Sequence, residues 1–233
     1  MKAALAKLFS DRYANRAAVG ANLLLLGMYR FAYPFALVLR SLRLSPNQIT
    51  TLSLLSAALA AYALTLQLDA WFYLFWAGAV LLDFCDGTVA RMTGEIRKTA
   101  FRYDHSSDLG KIFLVILGCG CRYESTQIWV LSASAIFFFM FYMVLNHDLG
   151  VARQRRSDSA AAQPDTGRVA SIPRVSFVQS LKVVLLTING HTLLVFFLLP
   201  LGDSGAILGL SYFLMLSLLR AARCIHIMLG LPK

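Results

Sequence analysis

Apolar runs long enough to cross a bilayer follow one another along this chain with little between them, and they decide what it can fold into. A membrane-spanning helix needs about 20 predominantly apolar residues. Such stretches fall at residues 48–67, 69–89, 109–128, 127–147, 177–200 and 205–229. Only 15% of the 233 residues are charged and 58% are hydrophobic, whereas a soluble domain carries about 25% charged residues. The apolar excess sits in the runs, which leaves no chain for a separate soluble core. The expected fold is an all-α integral membrane protein whose six transmembrane helices occupy residues 46–233.

Residues 1–45 are read as an N-terminal amphipathic segment on the cytoplasmic interface. Leu5, Leu8 and Phe9 form an apolar face with basic residues beside it, as interfacial helices do. The apolar stretch from Leu23 to Leu39 is interrupted by Arg30 and Pro34. Charge asymmetry points the same way, because cytoplasmic loops collect Lys and Arg. Six spans starting inside place Arg91, Arg97, Lys98 and Arg102 in one cytoplasmic loop and Arg153, Arg155, Arg156, Arg168 and Arg174 in the next. The opposite face then carries only Arg122. A seventh span at the start would put Lys2, Lys7, Arg12 and Arg16 outside. No compact apolar core with a small-residue cleavage site, as a signal peptide has, opens the sequence.

The net charge of +10 is thus concentrated on one membrane face. Anionic lipid headgroups and phosphate-bearing substrates account for it better than nucleic acid does. The four cysteines make no framework: Cys119 and Cys121 are separated by one residue, which suits neither a zinc pair nor a thiol redox pair.

Against this apolar background stand four acids in two pairs. Asp83 and Asp86 close the second run in DFCDGTVAR, and Asp104 and Asp108 open the third in AFRYDHSSD. Spacings of three and four put each pair on one face of its helix. If the helices are antiparallel neighbours, all four carboxylates meet at one depth. An ionised Asp inside a bilayer costs roughly 2.5–3.5 kcal/mol on insertion scales, so acids in such positions mark function. Carboxylate oxygens suit Mg2+, Mn2+ or Ca2+, and zinc prefers His or Cys. Four acids have capacity for two divalent ions, an arrangement that clamps phosphoryl groups during in-line displacement. Gly87 and Ala90 are small enough for a nucleotide to approach the helix backbone, and Arg91 offers paired N–H groups to phosphate. A snorkelling helix-end role is the other reading of Arg91.

These residues resemble the signature of the CDP-alcohol phosphotransferases (CDP-alcohol phosphatidyltransferases), D-x2-D-G-x2-A-R followed after eight residues by G-x3-D-x3-D. Asp83, Asp86, Gly87, Ala90, Arg91, Asp104 and Asp108 match, whereas Ala100 stands at the second glycine. Pro46-Asn47-Gln48-Ile49-Thr50 resembles the Pro-Asn-x-x-Thr entry to the family's first membrane helix. The resemblance implies that Asp83, Asp86 and Asp104 hold Mg2+ or Mn2+, two ions in all, against a CDP pyrophosphate. Asp108 joins them and serves as the base that deprotonates the attacking hydroxyl. Asn47 and Thr50 either reach the nucleotide or cap the helix, two readings that stay open. Arg102, Lys111 and Arg153, with Lys182, are candidates for receiving a phosphorylated acceptor; their alternative is ordinary positive-inside charge.

The implied activity transfers a substituted phosphate from a CDP-linked donor to an alcohol and releases CMP, in phospholipid synthesis. CDP-diacylglycerol is the default donor; a soluble CDP-alcohol with a lipid acceptor is the alternative, and the Asp104-His105 pairing leans that way. A homodimer in the bacterial inner (cytoplasmic) membrane, with its site facing the cytoplasm and no nucleic acid partner, completes the expectation. The rival from another class is a divalent-cation transporter. Transport favours acids at the bilayer midplane on broken helices, whereas these lie at helix ends.

Overall fold

The computed structural model describes residues 9–15, 19–94, 98–159, 176–188 and 190–230; side chains at 98–102 and 152–159 are outside the description. The described residues form helices and no strand. The order is α1 (Leu23–Ser41), α2 (Pro46–Thr65), α3 (Asp69–Thr93), α4 (Lys98–Tyr123), α5 (Thr126–Ser159), α6 (Phe177–Leu186), a 3-10 segment (Gly190–Leu198) and α7 (Gly202–Leu229).

The six expected runs all reappear as helix, with shifted ends. Residues 109–128 grow backwards into α4, which starts at Lys98 and carries Asp104 and Asp108 on continuous helix. Residues 177–200 are a bent pair: α6 and the 3-10 segment meet at 70°. By length and composition α1, α2, α3, Thr126–Val151 of α5 and α7 are each able to cross a membrane, and the bent pair makes a sixth if it is one span. The count agrees with six, but its membership differs at two places. Helix α1, with Arg30 and Pro34 inside it, is long and apolar enough. Helix α4 is absent from that set, because Arg102, Asp104, Asp108 and Lys111 in its first half and Arg122 near its end leave no long stretch of it with few charges.

Large apolar side chains face outward, among them Phe31, Leu55, Leu59, Tyr62, Leu74, Phe137, Val144 and Leu208. A water-soluble protein rarely exposes so continuous an apolar surface, and lipid is its natural cover. Inside, small residues let backbones approach, as expected where lipid removes the hydrophobic drive between helices. Ala57, Ala60, Ala61 and Ala63 line buried positions of α2. A Cβ on Gly118 of α4 would stand 2.8 Å from the Ala61 carbonyl oxygen, so glycine is what permits this contact.

Polar bonds then fix the register of α2 on α3. Thr50, Ser53 and Ser56 recur every three residues along one face of α2. Thr50 Oγ1 donates to Asp86 Oδ2 at 2.7 Å, Ser53 Oγ to the Ala79 carbonyl at 2.9 Å and Ser56 Oγ to the Phe75 carbonyl at 2.7 Å. The falling partner numbers show the helices to be antiparallel. Inter-helix bonds of this kind are worth about 0.6–2 kcal/mol each in a membrane. At the far end Arg122 ties α4 to α3 through Asp69 (2.5 Å) and also donates to the carbonyls of Leu64 and Pro200.

The break before the 3-10 segment is held by side chains. Trp76 Nε1 donates to the Leu193 carbonyl at 3.0 Å. His191 Nε2 lies 2.8 Å from the Val184 carbonyl and its Nδ1 3.0 Å from Asn22 Nδ2. With the ring donating at Nε2, Nδ1 accepts from the amide. His191 is therefore a buried residue that ties this break to the start of α1. Asn189 lies outside the described residues.

Candidate active site

Each half of the acid constellation is positioned by its helix end. Helix α3 runs to Thr93 and stops at Gly94, whose φ of 73° ends the turn in the left-handed region that glycine adopts freely. That places Asp83 and Asp86 in its last three turns. Asp104 and Asp108 lie in the first turns of α4, beside them. One carboxylate oxygen from each of Asp83, Asp104 and Asp108 lies within 4.8 Å of the others. The predicted meeting of the two pairs is thus present in the structure, for three of the four acids in one cluster.

Asp86 is engaged differently. Its Oδ2 accepts from Thr50, and its Oδ1 accepts from the backbone N–H of Gly87. It is buried, between α2 and α3. Thr50 does not cap α2; that role belongs to Ser45, whose side chain accepts from Gln48 N while Gln48 reaches back to Ser45 N, with Pro46 in the first turn. Asn47 stands exposed on the first turn of α2. Its neighbour Thr51 bonds Tyr103 of α4 at 2.7 Å, which ties the two helix ends across the mouth of the site.

Arg91 is folded back along its own helix. A Cβ on Gly87 would stand 3.3 Å from its Nη1, so the guanidinium occupies the space that glycine leaves. Its Nε donates to the Tyr13 carbonyl at 2.5 Å, and its guanidinium carbon lies 5.3 Å from the Tyr29 ring centre. Tyr29 in turn meets Phe84 edge-on at 5.0 Å. The N-terminal segment and α1 thereby grip the motif arginine from outside the motif. Nη2 is buried without a hydrogen-bond partner. Such an orphaned donor is costly and is ready for an acceptor that binds.

Lys111 is placed where the sequence reading did not put it. It is 0% exposed. Its ammonium donates to Asp83 Oδ1, lies 2.7 Å from Asp108 Oδ1 and donates to Ser53 Oγ at 3.2 Å. It sits inside the acid cluster, and any acceptor would meet it there and not on an open basic surface. The sequence held the signal: position 111 continues the stripe 104–108, one turn further along the same face. Ser53 and Tyr29 also went unread, Ser53 because serines in membrane helices are common packing residues.

For Ala100, Arg102 and Arg153 only the helix is described. Lys182 is exposed on α6, and His105 is half-buried in the first turns of α4. The cysteines are free, three of them buried, as packing residues would be.

The donor set fits a divalent cation of the Mg2+ or Mn2+ class, being carboxylate oxygen throughout. These features define a helical protein with a membrane-compatible exterior and an acidic cluster where two of its helices meet. Residues 43–216 match the model of the CDP-alcohol phosphatidyltransferase family. The chain belongs to that family. It is also similar to an archaetidylinositol phosphate synthase of Pyrococcus horikoshii, with 34% identity over 92 residues, 38% of this chain and 49% of that protein. The chain spans about half the length of that curated relative.

Proposed function

We propose that the protein is an integral membrane phosphatidyltransferase that moves a phosphatidyl group from CDP-diacylglycerol to a polar alcohol, releasing CMP. The observation that carries this reading is the convergence of Asp83, Asp104 and Asp108 from two helices, with Asp86 held beside them. Mg2+ or Mn2+ bound by these four acids, up to two ions, would neutralise the pyrophosphate and polarise the phosphorus under attack. Asp108 takes the proton from the acceptor hydroxyl, since a general base must carry a carboxylate within reach of the attacking oxygen. Arg91 presents its unpartnered Nη2 to a phosphate oxygen, while Tyr13 and Tyr29 hold its other end. Gly87 and Ala90 keep the helix surface low for the nucleotide, and Asn47 and Thr50 flank it from α2.

The acceptor is a phosphate-bearing polyol, a choice supported by the likeness to an archaetidylinositol phosphate synthase. Arg102 and Arg153, with Lys111 at the inner edge, form its electrostatic reception. We place the site on the cytoplasmic side of a bacterial inner membrane, with residues 1–45 along the interface, α4 spanning, and two copies of the chain forming a homodimer. The apolar outer face suits a donor whose acyl chains enter sideways from the leaflet. A soluble CDP-alcohol used with a lipid acceptor would employ the same acids, and His105 beside Asp104 is the residue that favours it.

Assaying CMP release from CDP-diacylglycerol and from CDP-choline with diglyceride, in one lipid environment and against a panel of alcohols, tests the reading. Turnover with CDP-diacylglycerol and a polar alcohol is expected, and none with the soluble donor. Turnover only with CDP-choline would reverse the donor assignment.

A further inference from the structure

Lys111 combines three facts rarely found together. It is fully buried, its ammonium engages carboxylates on both helices of the acid cluster, and a hydroxyl from a third helix holds it in place. A buried ammonium is costly unless it is paired and its protons are used. Here Asp83 and Ser53 accept two of its protons, and Asp108 Oδ1 pairs with the charge at 2.7 Å. Those two acids are also candidate ligands for a divalent ion, and an oxygen occupied by an ammonium is not free to coordinate.

We infer that Lys111 is a built-in cation of the site, holding the position between Asp83 and Asp108 that a second divalent ion would otherwise take. This rests on the metal reading proposed above and deepens it. Three carboxylates whose oxygens lie within 4.8 Å of one another, with Asp86 beside them, repel one another when ionised. The Lys111 ammonium offsets part of that repulsion before any metal arrives, which lets the cluster form during folding. The first ion then binds on the oxygens that Lys111 leaves available, Asp104 foremost. A second ion binds tightly only when something displaces the ammonium or adds negative charge, and a pyrophosphate-bearing donor does the latter. Ser53 tunes this balance, since it anchors the ammonium from α2 without belonging to the acid cluster.

The experiment counts metal. Full-length protein in nanodiscs is stripped with chelator and titrated with Mn2+ in the absence of nucleotide. Bound ions are counted by equilibrium dialysis, and electron paramagnetic resonance reports whether two Mn2+ are magnetically coupled. Wild type is expected to bind one Mn2+ per chain with no coupled signal at concentrations where Lys111→Met binds two and shows it. Ser53→Ala, which keeps every charge, is expected to tighten the second Mn2+ severalfold, so the inference does not depend on Lys111→Met folding. Two coupled ions in wild type without nucleotide overturn the role of Lys111, as does one ion in both wild type and Lys111→Met or an unchanged second site in Ser53→Ala. No Mn2+ bound by wild type overturns the metal reading, and this inference with it.

Discussion

Asp86 and Asp108 belong to one motif but meet different surroundings, and that difference separates their roles. Asp86 is buried against Thr50 and the Gly87 N–H, so it shapes the site where α2 and α3 join. Asp108 lies in the open cluster beside Lys111. Replacing Asp108 with Asn removes the proton acceptor and keeps the size. Transfer should fall by at least about 10²-fold, the lower range for loss of a general base, while calorimetry still detects binding of a CDP-linked donor. Asp86→Asn should weaken both. Near wild-type turnover of Asp108→Asn contradicts its role as base. At this scale the acids, Gly87 and Arg91 were legible because their types and spacing are restrictive. Lys111 was read for its charge alone, and its place in the acid stripe followed only from helical periodicity. The grip of Tyr13 and Tyr29 on Arg91 was invisible, because the separation in sequence is 78 residues for Tyr13.

Helices reach their places here by close contact and a few polar bonds. The contact of α2 with α4 depends on Gly118 meeting the Ala61 carbonyl. Gly118→Val should cost about 1–3 kcal/mol by overpacking and lower the thermal midpoint by several degrees. Gly27→Ala is the control, since a Cβ there meets nothing within 4 Å. Equal midpoints for the two variants would contradict the packing account. The membrane helices themselves were readable from apolar length. The bend before Gly190 left a trace, the polar Asn189-Gly190-His191-Thr192 inside an otherwise apolar run, but that interruption does not by itself specify a 70° break. Helix α1 shows a limit of length and composition as guides. It suffices to cross a membrane, yet it packs on the half of α3 that carries the acids, through Tyr29 on Phe84 and Ala32 beside Cys85. We propose that it lies along the cytoplasmic interface with residues 1–22. Ala3→Cys in a cysteine-free background should resist a membrane-impermeant thiol reagent in intact cells and react after lysis. Strong labelling before lysis contradicts this topology.

The molecule as a whole joins two incompatible demands, an apolar exterior and a charged site. Antiparallel α2 and α3 with α4 beside them satisfy both by gathering the acids where the helices begin and end. The outward-facing apolar side chains remain for lipid. Family membership and fold were legible from the motif and the apolar runs, whereas substrate choice was not, because both donor types place pyrophosphate on the same acids. The central claim is that this acid cluster works through a bound divalent ion. The direct measurement is CMP release from CDP-diacylglycerol by full-length protein in nanodiscs, stripped of metal and then resupplied. Release should be absent in excess chelator, return with Mg2+ or Mn2+, and stay absent in Asp83→Asn under the same additions. Sustained release in chelator after stripping, or full activity of Asp83→Asn, would contradict the account.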